Sequence, residues 1–500
     1  MSVPDVVYVH PSKHPLGLAP QIGAPRSPYM TMPVGVTALG NLLQENGHSV
    51  VGLNYPLEVL LNRGFSLEGE LSSLSGAYLV MIDLHWYEHA YGAIDVARVA
   101  RRALPQAKIA LGGLTASAFA REILKSFREV DFVIRGDAEE PLLRLVAALK
   151  EQPTNPDVSG IPNLTYRSGG RVVDNALAYC ASSPDLAQLN YADLDFLRHG
   201  KEYRRTQYLA TGMKNTADPT APQGQWIATG RGCRFNCSYC GGSASAQRAL
   251  AGRQSLAARS AKVVAEEVAR LREQGVRQVS FSLDPAIFGE SYWRALFQEI
   301  AARHLRPGIY NEVFQLLPKG FIQAFVEAAD LSHSQLAITP LVGSEPVRKM
   351  NGKTFSNREL METLAELKQH KVPVIVFFSL NLPGEDQKSF QKTLELAARL
   401  IDFYPPDLLL IISQCHTLDP LSPMSVHPEQ FGIGITLRTF ADYYEYCQQT
   451  PQAQRAAQMG ELRGFAVRGR NRQALEDMAM QWAAFCRVNG NNCLPIPYNW

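Results

Sequence analysis

The sequence contains 500 residues, of which 46% are hydrophobic and 19% are charged, and its formal net charge is +2. This length predicts two or three globular domains rather than a single core. The small net charge and the lack of long lysine or arginine runs argue against nucleic-acid binding, and no apolar segment is long enough to cross a membrane.

The chain begins with MSVPDVVYVHP, which predicts a strand and lacks the basic region of a signal peptide. Eight cysteines occur in the sequence. Without an export signal, they favour thiols or metal ligands over a framework of disulfides. We therefore expect a cytoplasmic protein.

Residues 1–150 alternate short apolar strands with amphipathic helices. Strands are predicted at 6–9, 49–53, 78–82, 108–112 and 132–135, and helices at 33–45, 93–103, 116–126 and 140–149. This alternation predicts a doubly wound, Rossmann-like parallel sheet. Ligands of such sheets bind at the carboxyl ends of the strands.

The rest of the chain divides into three predicted regions. A linker rich in Pro, Asn and Ser covers 151–215 and contains a small hairpin near Gly169 and Gly170. About six β/α units follow in 216–420, which predicts a partial (β/α)6 barrel of the TIM type. Residues 421–500 lose the alternation and are expected to be mainly helical, with candidate helices at 453–459 and 472–488.

The second α/β region opens with TGRGCRFNCSYCGGS, in which Cys233, Cys237 and Cys240 have the spacing C-x3-C-x2-C. Three thiolates in one loop can bind three irons of a [4Fe–4S] cluster and leave the fourth iron without a protein ligand. The alternative is a zinc site. Zinc usually takes four protein ligands in two separated pairs, and no second pair lies nearby.

This cysteine loop resembles the signature loop of the radical S-adenosylmethionine (SAM) enzymes, in which the open iron binds SAM. FSLDPAIFG, TPLVGSEPVRKMNGK and LNLPGED resemble further motifs of that family. The resemblance implies a [4Fe–4S] cluster on the three cysteines and SAM as a cofactor. The SAM contacts it implies are Tyr239, Gly241, Gly242, Glu345 and Gly384. The alternatives are a plain turn for the glycines and a helix-initiating carboxylate for Glu345.

The first domain resembles the cobalamin-binding domain that precedes many radical SAM cores. The resemblance rests on MPVGVTALGNLLQENGHSVVGLN, IALGGLTASAFAREIL and VDFVIRGDAEEPLLRLVAAL. It implies cobalamin as a cofactor. The turn residues that would contact it are Gly112, Gly113, Arg135 and Gly136, whose glycines allow close backbone approach. A nucleotide-binding or receiver domain has the same general pattern.

The family's cobalt-ligating motif, Asp-x-His-x-x-Gly, is incomplete here. Ser12–Gly17 keeps the histidine, His14, and the glycine but lacks the aspartate that would orient the imidazole. At the end of the third strand, Asp83, His85 and Trp86 are placed to line the lower face of the corrin. The alternative is that no side chain ligates cobalt.

Other candidates lie at predicted strand ends near the mouth of the barrel. Asp284 and Cys415 are candidate catalytic residues, and Glu312 can contact substrate or cap a helix. Four tail arginines can bind an anionic substrate group or form a solvated basic face. They are Arg463, Arg468, Arg470 and Arg472.

The resemblance implies an enzyme that moves a methyl group from SAM, via methylcobalamin, to a carbon of a small-molecule or peptide substrate. The alternatives are a cyclisation or rearrangement, a non-radical methylation of an sp² carbon, and a non-catalytic sensor. Radical chemistry also implies an electron donor such as flavodoxin or ferredoxin. The sequence does not name the substrate.

Overall fold

A computed structural model describes residues 3–13, 30–209, 220–455 and 464–494. The chain forms two compact units. The first contains Met1–Thr206, Ala246–Ser255 and Leu437–Gln452, and the second contains Gln207–Ser245, Leu256–Thr436 and Ala453–Trp500. This division differs from the predicted boundaries because two later segments belong to the first unit.

The sheet of the first unit has seven strands in the order β2-β1-β3-β4-β5-β6-β7. They are β1 (Val6–His10), β2 (Val50–Asn54), β3 (Leu79–Asp83), β4 (Lys108–Gly112), β5 (Phe132–Ile134), β6 (Leu164–Ser168) and β7 (Arg171–Asp174). The first five are parallel, as predicted, and β6 and β7 add an antiparallel hairpin at the edge. The region predicted as a linker therefore contributes to the sheet.

Nine α-helices lie within the described residues before position 207. They are α1 (Val34–Glu45), α2 (Tyr55–Leu61), α3 (Leu67–Ser73), α4 (Ala90–Ala103), α5 (Leu114–Ala118), α6 (Ala120–Ser126), α7 (Glu139–Glu151), α8 (Ser183–Ala187) and α9 (Gly200–Thr206). The strand order reverses at β1, which places helices on both faces of the sheet and opens a crevice between the carboxyl ends of β1 and β3.

The strands from residue 207 onward form one large sheet and two small antiparallel pairs. They are β8 (Gly224–Ile227), β9 (Gly230–Arg231), β10 (Ala257–Ala258), β11 (Gln278–Phe281), β12 (Gly308–Val313), β13 (Gln335–Leu341), β14 (Val374–Leu380), β15 (Leu409–Cys415), β16 (Ile433–Ile435), β17 (Phe465–Val467) and β18 (Cys493–Leu494). The large sheet runs β18-β15-β14-β13-β12-β11-β8 and is parallel throughout. Its six strands from β8 to β15 are the predicted partial barrel.

The helices of this part complete the β/α units. They are α10 (Ala244–Ala251), α11 (Ala261–Glu273), α12 (Glu290–Ala302), α13 (Phe321–Ala328), α14 (Glu345–Met350), α15 (Asn357–Gln369), α16 (Gln387–Phe403), α17 (Pro423–Val426), α18 (Phe440–Arg455) and α19 (Arg472–Asn489). Capping boxes start two of them, with Ser356 before α15 and Asp386 before α16. Both motifs satisfy backbone N–H groups at the first turn.

The C-terminal region is mainly helical, as expected, through α18 and α19. It also supplies the strand pair β16 and β17 and the edge strand β18 beside β15. Of the predicted helix at 453–459, the part up to Arg455 belongs to α18 and the remainder lies outside the described residues. Within the described ranges, no helix has the length and apolar character to cross a membrane.

Candidate functional site

The three predicted cluster cysteines share one loop of the second unit, after β9. Cys233, Cys237 and Cys240 are partly buried thiols. The backbone N–H of Phe235 donates to Cys233 Sγ and that of Gly242 to Cys240 Sγ, each at 3.4 Å. Such donors stabilise thiolate charge and tune iron–sulfur sites. Burial raises the pKa of the Cys240 thiol to about 12, so a bound metal is what would deprotonate it.

The donor set of this loop fits an iron–sulfur cluster. In the described part of the chain, no three His, Cys, Asp or Glu side chains converge on a single ion. A [4Fe–4S] cluster does not require such convergence, because each cysteine binds a different iron. The three thiols nevertheless lie within electrostatic range of one another. Three thiolates would leave one of the four irons without a protein ligand.

The segment after α14 packs directly on the cluster loop. Gly352 has a φ of +94°, and a Cβ there would lie 2.7 Å from the Cα of Cys237, so this approach requires glycine. The next residue, Lys353, is buried, and its ammonium donates to the backbone oxygen of Phe314. Burial lowers the pKa of Lys353, while the thiols of Cys237 and Cys240 oppose that shift. A buried cation therefore lies beside the cluster loop.

The two glycines after the third cysteine have different surroundings. The Gly241 N–H donates to Asp419 Oδ2 at 3.1 Å, and a Cβ at Gly241 would lie 2.9 Å from the backbone oxygen of Pro420. A Cβ at Gly242 would meet only Cys240 Sγ, at 3.7 Å. Packing accounts for glycine at position 241, whereas a Cβ at Gly242 would make only an ordinary contact. The contact of Gly242 with SAM stays a prediction.

The aromatic residue before the third cysteine is held by a histidine. The rings of Tyr239 and His416 have centroids 4.5 Å apart and an interplanar angle of 30°. His416 Nε2 lies 3.0 Å from Ser379 Oγ, which fixes the imidazole on the end of β14. The orientation of Tyr239 next to the cluster thiols is therefore set by two residues of neighbouring strand ends.

Two carboxylates lie where β11 and β12 end. Asp284 is buried and accepts N–H groups from Ala286 at 3.0 Å and Phe314 at 2.9 Å, and burial raises its pKa. Glu312 is exposed, and its Oε1 accepts the hydroxyl of Tyr310 at 3.0 Å. Asp284 therefore organises the two loops, whereas Glu312 is accessible. A catalytic role for Asp284 stays a prediction.

Glu345 and Gly384, two predicted SAM contacts, lie in turns around α14. Glu345 is the exposed first residue of that helix, and its Oε1 accepts the N–H of Asn357 at 2.7 Å. A Cβ at Gly384 would lie 2.8 Å from Met350 Sδ. Both positions therefore have structural contacts that account for their residue types. Their contact with SAM stays a prediction.

The tail arginine Arg470 is not available to an anionic substrate group. Its side chain is 7% exposed and pairs with Glu385, at 3.3 Å between Nη1 and Oε2. Cys415, the last residue of β15, lies within electrostatic range of Arg470. The candidate catalytic cysteine thus neighbours a structural ion pair, and its catalytic role is untested.

In the first unit, buried polar residues collect at the crevice between β1 and β3. Asp83 Oδ1 accepts the hydroxyl of Tyr8 at 2.6 Å and lies 2.9 Å from His10 Nδ1. The ring of His10 meets that of His89 edge to face at 5.2 Å. Sequence reasoning named Asp83 but not the two histidines. Their positions could have indicated a site, because His10 ends β1 and His89 follows β3 by six residues.

The turn after β3 packs closely on the turn after β4 and accepts hydrogen bonds from it. Gly113 has a φ of +112°, and a Cβ there would lie 2.7 Å from both the Cα and the N of His85. The N–H and the hydroxyl of Thr115 donate to the His85 oxygen at 3.2 and 3.0 Å. Burial lowers the pKa of His85 to about 4, so this imidazole is neutral near pH 7. Trp86 packs beside it, with centroids 4.9 Å apart.

The remaining predicted cobalamin contacts lie along the same edge of the sheet. Gly112 ends β4, and its oxygen accepts the N–H of Leu84 at 2.7 Å. The Gly136 N–H donates to Ser117 Oγ at 2.9 Å, and Arg135 donates to the backbone oxygen of Asn175. The contact of these turns with cobalamin stays a prediction. His14 lies outside the described residues.

Comparison with known families matches both units. A family model described as B12 binding domain matches residues 22–146, and one described as radical SAM superfamily matches residues 227–397. Asp83, His85 and His89 at the crevice fall in the first match, whereas Tyr8 and His10 lie before it. The three cluster cysteines fall in the second match.

Two curated relatives carry different activities. The anaerobic magnesium-protoporphyrin IX monomethyl ester cyclase of Cereibacter sphaeroides is 23% identical over 61% of this chain and 47% of its own length. The hopanoid C-3 methylase of Methylococcus capsulatus is 24% identical over 56% of this chain and 47% of its own. The chain thus spans about half the length of these relatives.

A solved structure shares the fold over nearly the whole chain. It is the radical SAM methyltransferase TsrM from Kitasatospora setae with cobalamin and a [4Fe–4S] cluster bound. The TM-score is 0.67 at 14% identity, covering 98% of this chain and 91% of that one. The domains imply a [4Fe–4S] cluster, SAM and cobalamin as the cofactors of this protein. The chain therefore carries a B12-binding domain followed by a radical SAM domain.

Proposed function

We propose that this protein transfers a methyl group from SAM to a carbon atom of a small-molecule or natural-product substrate. One observation carries the proposal: the fold likeness to the methyltransferase TsrM extends over 98% of this chain. The sequence alignments do not separate the two reactions, because those with the cyclases cover 61% and 57% of the chain and that with the methylase covers 56%.

When bound, SAM supplies the methyl group and, after one-electron reduction, a hydrogen-abstracting radical, while cobalamin carries the methyl group. The residues of this chain would bind these cofactors and orient them. Cys233, Cys237 and Cys240 hold the cluster, and the N–H donors to two of the thiolates stabilise their charge. The open space beside Gly242 receives SAM next to the Tyr239 ring. An electron donor such as flavodoxin or ferredoxin supplies the electron.

In the B12-binding domain, Gly113 and Gly136 let two turns at the ligand-binding edge of the sheet pack closely on neighbouring backbone, and Asp83 offers a buried carboxylate. The neutral imidazole of His85 stays available as a hydrogen-bonding or ligating group. These roles follow from the geometry of the first unit alone.

The test is anaerobic purification with reconstituted iron, sulfide and hydroxocobalamin, followed by reductant-dependent turnover of SAM. We expect S-adenosylhomocysteine and 5′-deoxyadenosine in comparable amounts when substrate is supplied. The triple variant Cys233→Ala/Cys237→Ala/Cys240→Ala should lose the cluster and both products. The matched control is Cys180→Ala, at an exposed cysteine, which should keep both.

Two other reactions have specific support. Cyclisation is favoured by the two cyclases among the relatives and predicts mainly 5′-deoxyadenosine. Non-radical methylation of an sp² carbon is favoured by TsrM, which was also solved with a tryptophan substrate, because the indole ring offers such carbons. It predicts S-adenosylhomocysteine alone. Retention of neither cofactor would contradict all three.

A further inference from the structure

The large sheet of the second unit has two different faces. Its strands follow one another in a single direction from β8 to β15. Right-handed crossovers then place the connecting helices on one face. The C-terminal helix α19 joins that face, where Trp482 packs against Phe378 of β14 with centroids 5.9 Å apart. We call the other face the open face. Because side chains alternate along a strand, Phe377 and Tyr310 lie on it.

The open face carries its own apolar cluster. Four of its members are buried: Tyr310, Ala337, Ile375 and Ile412. Four more pack against them and are only half-buried: Leu209, Trp226, Phe377 and Leu410. The rings of Trp226 and Tyr310 meet edge to face at 5.5 Å. Half-buried aromatic side chains beside a few polar groups are typical of a small-molecule site.

One carboxylate interrupts this apolar surface. Glu312 shares the face of Tyr310, whose hydroxyl supplies the one hydrogen bond that Glu312 receives from the described residues. Lys353 lies in electrostatic range of Glu312, although the two form no ion pair among the described residues. The ammonium of Lys353 donates to Phe314, and Asp284 accepts two backbone N–H groups. An accessible carboxylate beside apolar walls is best compensated by a bound cation.

We propose that the open face binds the apolar body of the substrate and that Glu312 receives its positively charged amine. The substrate class is then an apolar or aromatic amine. This inference rests on the proposed function, because it names the substrate of the same site. SAM itself carries an ammonium group, so the experiment has to separate the two sources of positive charge.

The probes are tryptamine and two isosteres of it, the neutral indole-3-ethanol and the anionic indole-3-propionate. Each is titrated by calorimetry into the anaerobically reconstituted protein. We expect tryptamine to bind about tenfold more tightly than indole-3-ethanol, because a charge-assisted hydrogen bond is stronger than a neutral one, and indole-3-propionate to bind weakest. Glu312→Gln should abolish this preference and change indole-3-ethanol binding less than twofold. Glu327→Gln, at an exposed glutamate of α13, is the matched control and should behave as wild type.

Equal affinity for the three probes would overturn the proposal, and so would binding of none of them. A tryptamine preference that survives in Glu312→Gln would also overturn it. If Glu312→Gln weakens SAM and leaves tryptamine unchanged, the carboxylate serves SAM and the substrate assignment is wrong. The comparison of the three probes uses the wild-type protein alone, so it tests the proposal even if Glu312→Gln does not fold. SAM products from the same preparation test methyl transfer separately, so the two proposals can fail independently.

Discussion

Arg470 and Glu385 form a buried ion pair that ties the C-terminal segment to the turn between β14 and α16. Nη1 and Oε2 are 3.3 Å apart, and the side chains are 7% and 0% exposed. The same guanidinium donates to the side chain of Asn381. Glu385 also accepts the N–H of Asn381 at 2.8 Å and of Leu382 at 3.2 Å, which shapes the turn. Burial raises the pKa of Glu385 to about 7, and Arg470 opposes that shift.

Removing Arg470 alone should strongly destabilise the second unit. In Arg470→Met, Glu385 stays buried without its cation, which typically costs about 3–5 kcal/mol. Adding Glu385→Gln removes the stranded carboxylate and should recover most of that loss. Urea unfolding followed by tryptophan fluorescence measures both. The control is Arg468→Met, which breaks an exposed pair with Glu429 and should cost at most about 1 kcal/mol. Similar losses for the two single variants would contradict the buried-pair interpretation.

The same pair predicts a pH dependence. Glu385 has a pKa of about 7 in the folded chain, above its ordinary value of 4.5. Its contribution to stability is therefore present below the ordinary value and is lost as pH rises through 7. Between these limits, the wild type should lose stability relative to Glu385→Gln. The urea midpoints of the wild type and of Glu385→Gln should differ least at the acid end of this range. If the midpoints of the two proteins change in parallel with pH, Glu385 does not titrate in this range.

The contact between Tyr239 and His416 predicts an effect on SAM rather than on iron. His416→Ala removes the ring that stacks on Tyr239. We expect SAM to bind about fivefold more weakly, since such ring pairs contribute roughly 0.5–1.5 kcal/mol. Iron content should be unchanged. His416→Phe keeps a ring but loses the contact with Ser379, and should retain most of the affinity. Loss of iron in His416→Ala would mean that the histidine supports the cluster loop itself.

The candidate cluster site can be proposed from the sequence because its residues are adjacent in the chain. Cys233, Cys237 and Cys240 lie within one short loop, so their spacing alone indicates a shared ligand. The strand and helix alternation was equally visible because it is a local pattern. The predicted parallel sheets and the six-strand partial barrel are present in the structure.

Contacts between distant segments were not predictable from local patterns. The approach of Gly352 to Cys237 and the pairing of Arg470 with Glu385 join residues about a hundred positions apart. No periodicity records which segments a fold brings together, because that depends on tertiary packing. By sequence, Arg470 is therefore grouped with three other tail arginines, whereas in the structure it forms a buried ion pair with Glu385.

Lys353 should set the reduction potential of the cluster. Its buried ammonium lies in electrostatic range of Cys237 and Cys240. Reduction adds negative charge, which a nearby cation stabilises. Lys353→Met should therefore shift the midpoint potential to more negative values in an EPR-monitored redox titration. Lys349→Met, at an exposed lysine of the same segment, is the control and should leave the potential unchanged. A shift of the same size in both variants would exclude a local effect of Lys353.

Gly113 should be required for cobalamin binding. A Cβ at this position would lie 2.7 Å from backbone atoms of His85, so Gly113→Ala must separate the turns after β3 and β4. Because those turns lie at the ligand-binding edge of the sheet, we expect hydroxocobalamin affinity to fall at least about tenfold. Absorbance titration of the anaerobically purified protein measures it.

Gly170 provides the matched control for this substitution. It has a φ of +77°, similar in sign to the +112° of Gly113, but a Cβ there would meet no atom within 4 Å. Gly170→Ala therefore introduces positive-φ strain of about 1 kcal/mol without moving a neighbouring turn. Its cobalamin affinity should equal that of the wild type. Equal affinities in both variants would show that the contact between Gly113 and His85 does not shape the cobalamin site, and equal losses would assign the effect to stability alone.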